Sequence, residues 1–354
     1  MRHSRPGRLG LGLSTAVLGL FLAVTPVLAC GGLIGPNGAV NLLRTSTFAG
    51  YHAGVEHYVT SFEFAGGGGA FGSITPLPGI PTSVVKGGDW TLQRLVNETA
   101  PRQALDFAVA AGSAAARAEV ILTVKIDALD LTVLRGGAAD IGAWAKDHGF
   151  RLPPDAPEVL EFYAQRSQIF LAAAFDADAA QARGQALGDG TPVHITIPTD
   201  NPWVPLRILA LGKNAAEPVQ ADVYLLTDRA PALLPAPTGG NGLRLDHSAG
   251  ATTGLLDDLR SDRGMEWIPS SGWLTKVAVD GTAAQIGFDL AIDASGAGRP
   301  SAVDAGFTMR GAVIPATPVD ISKLVLALGF VAAGFVGVGL IGSVRSSAGR
   351  PLGS

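Results

Sequence analysis

His52, Glu56 and His57 stand together in one short polar stretch of an otherwise apolar-rich chain. The set is close to the H-x-x-E-H pattern of metal-dependent hydrolases, in which two imidazoles hold zinc and the carboxylate activates water. It has one residue too many, and that chemistry needs both imidazoles on one face of a helix. Glu63 and Asp89 are acids that would complete such a site. The surrounding residues argue for a different backbone. Val55 to Phe64, VEHYVTSFEF, alternates as a strand, with His57 on one face and Glu56 on the other. His52-Ala53-Gly54 reads as its turn. His52 and His57 then meet only if they converge across the hairpin. The reading that competes with a metal site is a set of polar groups at a hairpin end.

Other chemistry-bearing patterns fail on context. Gly67 to Gly72 matches G-x-G-x-x-G, but Ile74-Thr75-Pro76-Leu77-Pro78 follows, where a dinucleotide site needs a helix to open. Asp246-His247-Ser248 has the residue types of a catalytic triad, yet sequence neighbours point different ways. Asp176-x-Asp178 begins like a calcium loop and lacks its glycine and its closing glutamate. No nucleotide, metal or other cofactor is expected. The tryptophans Trp90, Trp144, Trp203, Trp267 and Trp273 read as core or sheet-edge anchors. Ile268 to Gly272, between the last two, reads alternatively as an exposed binding loop.

The elements that would carry these residues are mostly strands: a hairpin over 40–64, Glu119 to Leu134 broken near Asp127-Ala128, then Ile169 to Phe175, Val193 to Ile197, Val204 to Leu211 and Val219 to Leu226. Trp273 to Asp280 with Gln285 to Ile292 suggests a closing hairpin around Gly281. Helices are expected at Trp90 to Glu98 with Asp89 as N-cap, Ala138 to His148 ending at Gly149, Asp155 to Gln165, and Thr252 to Arg260. Strands dominate and helices do not alternate with them, so the class is α+β, mostly antiparallel, with one C-terminal transmembrane helix.

The ends are of another kind. Arg2, Arg5 and Arg8 precede an apolar run, and Val27-x-Ala29 is a signal-peptidase pattern. Cys30 is the one cysteine, so no intramolecular disulfide forms. V-L-A-C resembles a lipobox, which leaves Ala29-Cys30 either a lipidation site or an ordinary cleavage site with a free thiol. Leu324 to Val344 has no charge and is long enough to cross ~30 Å of hydrocarbon at ~1.5 Å per residue. Lys323 precedes it, and Arg345 and Arg350 hold the tail inside. Gly329, Ala333 and Gly337 form a small-residue face for helix pairing. The expected organisation is a signal peptide at 1–29, an extracytoplasmic α+β domain at 30–294, a Gly/Ala/Pro stalk at 295–322, a membrane helix at 323–344 and a cytoplasmic tail at 345–354.

The chain has 26 basic and 30 acidic residues, and the basic ones are over-represented at its ends. The body is therefore acidic, which argues against a nucleic-acid partner. The partners expected are membrane lipid, through the terminal helix, and an envelope protein or wall component.

Several phrases carry a family resemblance: Ala29-Cys30-Gly31-Gly32, YHAGVEHYVTSFEF at 51–64, WTLQRL at 90–95, ALDLTVLRG at 128–136, HGFRLPPDA at 148–156, HITIPTDNPWVPLRILALG at 194–212 and DVYLLTD at 222–228. Together they resemble the bacterial family catalogued as domain of unknown function 2330. The resemblance implies export and a single extracytoplasmic domain, and it brings no reaction, cofactor or catalytic residue. From the sequence, the chain reads as an exported, single-pass envelope protein that binds or builds without catalysis. The alternative is an extracytoplasmic hydrolase using the His52/Glu56/His57 hairpin.

Overall fold

Two large β-sheets pack face to face. The computed structural model describes residues 32–35, 38–39, 45–62, 71–100, 119–176, 179, 182 and 190–307. All of these belong to the first of two compact units, Met1–Arg310. The expected signal peptide with Ala29 and Cys30, Glu63, the expected membrane helix with Gly329, Ala333 and Gly337, and the expected cytoplasmic tail lie outside the described residues. Among the described residues, no helix is long and apolar enough to cross a membrane.

The first sheet has seven strands in the order β14-β15-β12-β3-β4-β10-β6. These are β3 (Thr45–His52), β4 (Val55–Phe62), β6 (Ser83–Lys86), β10 (Thr191–Pro198), β12 (Pro218–Thr227), β14 (Leu243–Gly250) and β15 (Trp273–Thr282). The β12–β3 pair is parallel and the other pairs are antiparallel. The second sheet runs β2-β1-β5-β9-β8-β7: β1 (Gly32–Gly35), β2 (Gly38–Ala39), β5 (Gly72–Pro76), β7 (Glu119–Ile126), β8 (Leu129–Arg135) and β9 (Ile169–Phe175). A small third sheet joins β11 (Trp203–Val204), β16 (Leu290–Asp293) and β13 (Ala232–Leu234). With α1 (Thr91–Thr99), α2 (Ala138–Asp147), α3 (Ala156–Ala164) and α4 (Thr253–Ser261), the fold is α+β.

The expected hairpin forms because its turn chemistry is local. Ala53 and Gly54 both take positive φ, 51° and 78°, the pair of left-handed residues that closes a two-residue hairpin. Alternation then sends Tyr58 into the main core shared with Ile74, Leu131 and Leu171, and Val59 into a second cluster with Leu95, Leu255 and Leu259. The first sheet is thus covered on both sides, by the second sheet and by α1 with α4. Every residue of β9, IFLAAAF, is buried, as a strand covered on both faces requires.

The differences from expectation are informative. Val204 to Leu211 is not one strand: only Val204, together with Trp203 before it, pairs with β16, and Arg207–Ala210 forms a 3-10 turn. The closing hairpin around Gly281 is absent; β15 pairs with β12 and β14, while β16 leaves for the third sheet. Asp89 does not cap α1. That position falls to Trp90, and the capping oxygens come from Asp262, at the far end of α4. The first part of the expected stalk is packed on the body. The backbone N–H of Asp289 donates to the Ala305 carbonyl at 3.1 Å, and Ala305 is fully buried.

One buried ion pair ties these late segments down. Arg166 and Asp289 meet at 2.5 Å with both side chains fully buried. Asp289 Oδ1 also accepts from the Tyr163 hydroxyl at 2.8 Å and the backbone N–H groups of Leu206 and Arg207 at 2.8 and 3.0 Å. Arg166 donates to the carbonyls of Phe162 and Asp304, and its guanidinium lies 4.0 Å over the Phe162 ring. Desolvating two charges is tolerated only when their remaining hydrogen-bonding capacity is met, as it is here.

Candidate functional site

The three residues of the metal-like pattern go to three surroundings. His52, at the hairpin end, is exposed, and its Nδ1 lies 2.6 Å from Asp228 Oδ1. Glu56, opposite Tyr51 and Ile197 in the sheet register, is fully buried on the main-core side. His57 faces the other way, opposite Gly50, against the α1/α4 layer. Among the described residues, no group of three or more His, Cys, Asp and Glu side chains converges as a metal site would require.

His57 finds a partner from a distant strand. Its Nδ1 is 2.9 Å from Nε2 of His194 in β10, and its ring lies flat on Trp267 with centroids 4.0 Å apart and planes 4° from parallel. His194 stacks on the same indole at 5.4 Å. Gly50 makes this possible, since a Cβ there would come 2.4 Å from the Trp267 ring. One imidazole donates and the other accepts, an arrangement for neutral rings. Burial lowers the pKa of His57 to about 4, helped by the neighbouring charges of His194 and His52. Burial lowers that of His194 to about 4 as well, opposed by the Gly264 backbone and Glu266. Trp267 thus belongs to the core layer, as expected for an anchor.

Glu56 is the odd group of the hairpin. Neither carboxyl oxygen has a hydrogen bond of acceptable geometry. Burial raises its pKa to about 8, and the Trp203 backbone N–H opposes the rise without cancelling it. The side chain is therefore a neutral acid at pH 7.

A cleft opens at the hairpin end. The β3–β4 turn, the β10–β11 link, the start of the β12–β13 link and the segment after β16 line a cavity of about 380 Å³. Tyr51, Asp200, Asn201, Arg229, Asp293 and Arg299 are its main polar residues. The Tyr51 hydroxyl donates to the Thr199 carbonyl at 3.0 Å, fixing one wall. Asp293 folds the last segment by accepting from Ser295 N and Oγ at 2.8 and 2.5 Å and from Arg299 N at 2.7 Å. The Ser295 hydroxyl and the Arg299 backbone hold its carboxyl below the usual range. Polar loops converging on a rigid sheet are the usual build of a binding site. Sequence reasoning missed this set. TDNP at 199–202 reads only as a separator and Asp228–Arg229 only as the start of a loop, because no fixed spacing links the four segments. A second cleft, of about 310 Å³, is lined by Glu158, Arg207, Lys213 and Ala215 among others; there Arg207 already holds Glu158, and burial lowers the pKa of Lys213.

Residues 26–232 match the family described as an uncharacterized protein conserved in bacteria, DUF2330. The chain belongs to that family. The DUF2330 match takes in three of the four segments lining the cleft and stops before the fourth, 292–301. The phrases at 51–64, 194–212 and 222–228, which carry the resemblance in sequence, meet at this end of the sheet. No curated protein matches the sequence. Among solved structures, two of a mutated baculovirus P35 after caspase cleavage align with TM-scores of 0.37 and 0.36 at 8% and 9% identity. They cover 72% and 70% of this chain and 98% and 99% of theirs. The crystal structure of baculovirus P35 aligns at 0.35 and 10% identity, covering 70% of this chain and 96% of its own. Likeness at this level carries no function across.

Proposed function

We propose that this DUF2330 protein is an exported binding module, held at the membrane by its C-terminal segment, whose ligand surface is the cleft at the β3–β4 turn. The observation that carries the reading is the convergence there of four loop segments whose polar groups are only partly used within the chain. The splayed positions of His52, Glu56 and His57 weigh against metal-assisted hydrolysis. The leader, the part of the stalk beyond residue 307 and the span at 323–344 remain part of this proposal, as does an envelope protein or wall component as partner.

A hydrolytic reading keeps one supporting contact. Asp228, which lines the cleft, holds His52 Nδ1 at 2.6 Å, as the acid of an acid–His pair orients a general base. Among the described residues no hydroxyl is hydrogen-bonded to His52, so nothing beyond this one contact supports hydrolysis, and binding is the better-supported role.

The test is a photo-reactive residue in whole cells. Placed at exposed Asn201, it should capture an envelope component that the same residue at Ala215, in the second cleft, does not. Equal capture from both positions, or none from Asn201, would sink the proposal. A tag on Ser354 should resist protease added to intact cells.

A further inference from the structure

We infer that the cleft takes a neutral, hydroxyl-rich ligand, a saccharide, gripped between the Asp200 carboxylate and the guanidinium groups of Arg229 and Arg299. The inference rests on the binding reading above and names the ligand class for that site.

The argument starts from which groups are already engaged. Asp228 is occupied by His52, and Asp293 by its own loop. Most described arginines hold a carboxylate, among them Arg94, Arg166, Arg207 and Arg260. Arg229 and Arg299 hold none among the described residues, and both line this one cavity. Asp200 and the Asn201 side-chain amide likewise make no hydrogen bond with a described residue, although Asp200 acts electrostatically on Tyr51. The loop is shaped around Arg229: a Cβ on Gly296, where φ is 83°, would lie 3.0 Å from its Cδ and 3.1 Å from a terminal nitrogen.

The lining of one cleft therefore offers both strong donors and a strong acceptor. A hydroxyl both donates and accepts, so adjacent hydroxyls on a sugar satisfy a carboxylate and a guanidinium at once. Charge narrows the class further. The side chains of Asp200, Asp228 and Asp293 line the same cavity as those of Arg229 and Arg299. Any strongly charged ligand would meet one set with its own sign, a penalty that selects against it. The polar lining excludes acyl chains, and the volume lies within the ~300–1,000 Å³ typical of small-molecule sites.

The test is calorimetric titration of the full-length chain with neutral disaccharides (chitobiose, cellobiose and maltose), with D-glucuronate and glucosamine as charged probes and inorganic phosphate as an anion. At least one neutral disaccharide should bind more tightly than every charged probe. Asp200→Asn and Arg229→Gln should each weaken it by ~10-fold or more, the range for a hydrogen bond to a charged group. Arg151→Gln, at another arginine outside the cleft that holds no carboxylate among the described residues, should change nothing. The three substituted side chains are exposed, and a thermal melt of each variant confirms that the fold is kept. Tighter binding of glucuronate or phosphate, neutral binding indifferent to Asp200→Asn and Arg229→Gln, or no binding of any disaccharide overturns the saccharide assignment. Capture from Asn201 would then still support the binding reading, whereas its failure sinks that reading by itself.

Discussion

At the scale of single residues, the hairpin residues that first suggest catalysis instead set how stability responds to pH. Glu56 keeps its proton when folded to about pH 8, and loses it near 4.5 when unfolded. The unfolded state therefore sheds a proton first as pH rises, so stability falls between those values and levels off above the higher one. Glu56→Gln removes that loss. We predict that it raises unfolding free energy at pH 7 by on the order of 3 kcal/mol, at ~1.36 kcal/mol per unit of separation, and flattens the dependence between pH 5 and 8 in urea titrations. An unchanged slope would show that Glu56 is solvated or paired. The histidines act in the opposite direction. His57 and His194 stay neutral when folded down to about pH 4, against 6.5 unfolded, so stability is present above about 6.5 and is lost as pH falls toward 4. Every element packed on them matters here: Glu266 and the Gly264 backbone from the Trp267 loop face His194, and His52 acts on His57 from the hairpin end. Imidazole carbon resonances of both rings should hold still from pH 7 to 5. Movement centred near 6.5 would show that the pair is open to water.

At the scale of elements, α1 depends on a residue that no local pattern assigns to it. Asp262 accepts from the backbone N–H groups of Asp89 and Trp90 at 3.1 and 3.0 Å and from Thr91 Oγ1 at 2.8 Å. It thereby fills the orphan donors at the start of α1 from the end of α4. Asp89, freed from capping, meets Lys86 at 3.1 Å and Arg263 at 3.3 Å on the surface. Asp262→Ala should cost about 1–3 kcal/mol, more than an ordinary N-cap, because it strands buried donors as well. Asp89→Ala should cost at most ~1 kcal/mol, as an exposed ion pair does. Equal losses in the two variants, measured by urea denaturation, would return the cap to Asp89. This exchange of roles was hidden in the sequence. Asp89 stands where a cap belongs and Asp262 stands far along the chain, and only the packing of α1 beside α4 decides between them.

At the scale of the whole molecule, the Arg166–Asp289 pair clips α3, the 3-10 turn and the segment ending near Phe307 into one body. Removing one partner leaves an uncompensated buried charge. Asp289→Ala should therefore destabilise by about 3–5 kcal/mol, and proteolysis should then release the chain beyond residue 293 before the two large sheets open. A loss below ~1 kcal/mol would mean that water reaches the guanidinium. The segment after β16 also supplies Arg299 to the cleft, so the same variant should loosen that wall.

The local features were legible because they are written in neighbours. The alternation of VEHYVTSFEF, the left-handed turn at Ala53-Gly54, the break at Asp127, where φ is 53°, and the glycine at 149 ending α2 each need only a few adjacent residues. They determined the hairpins at Ala53-Gly54 and Asp127-Ala128, most helix ends, which side chains share a face, and the α+β class, but not the hairpin expected around Gly281. Tertiary structure alone decided that His57 meets His194 rather than His52, that Asp262 caps α1, that β16 abandons β15, and that Asp200, Arg229 and Arg299 share a cavity. The reason is physical. A turn or a strand period is fixed by backbone sterics within a few residues, whereas these contacts join segments far apart in the chain and follow from which faces the core buries.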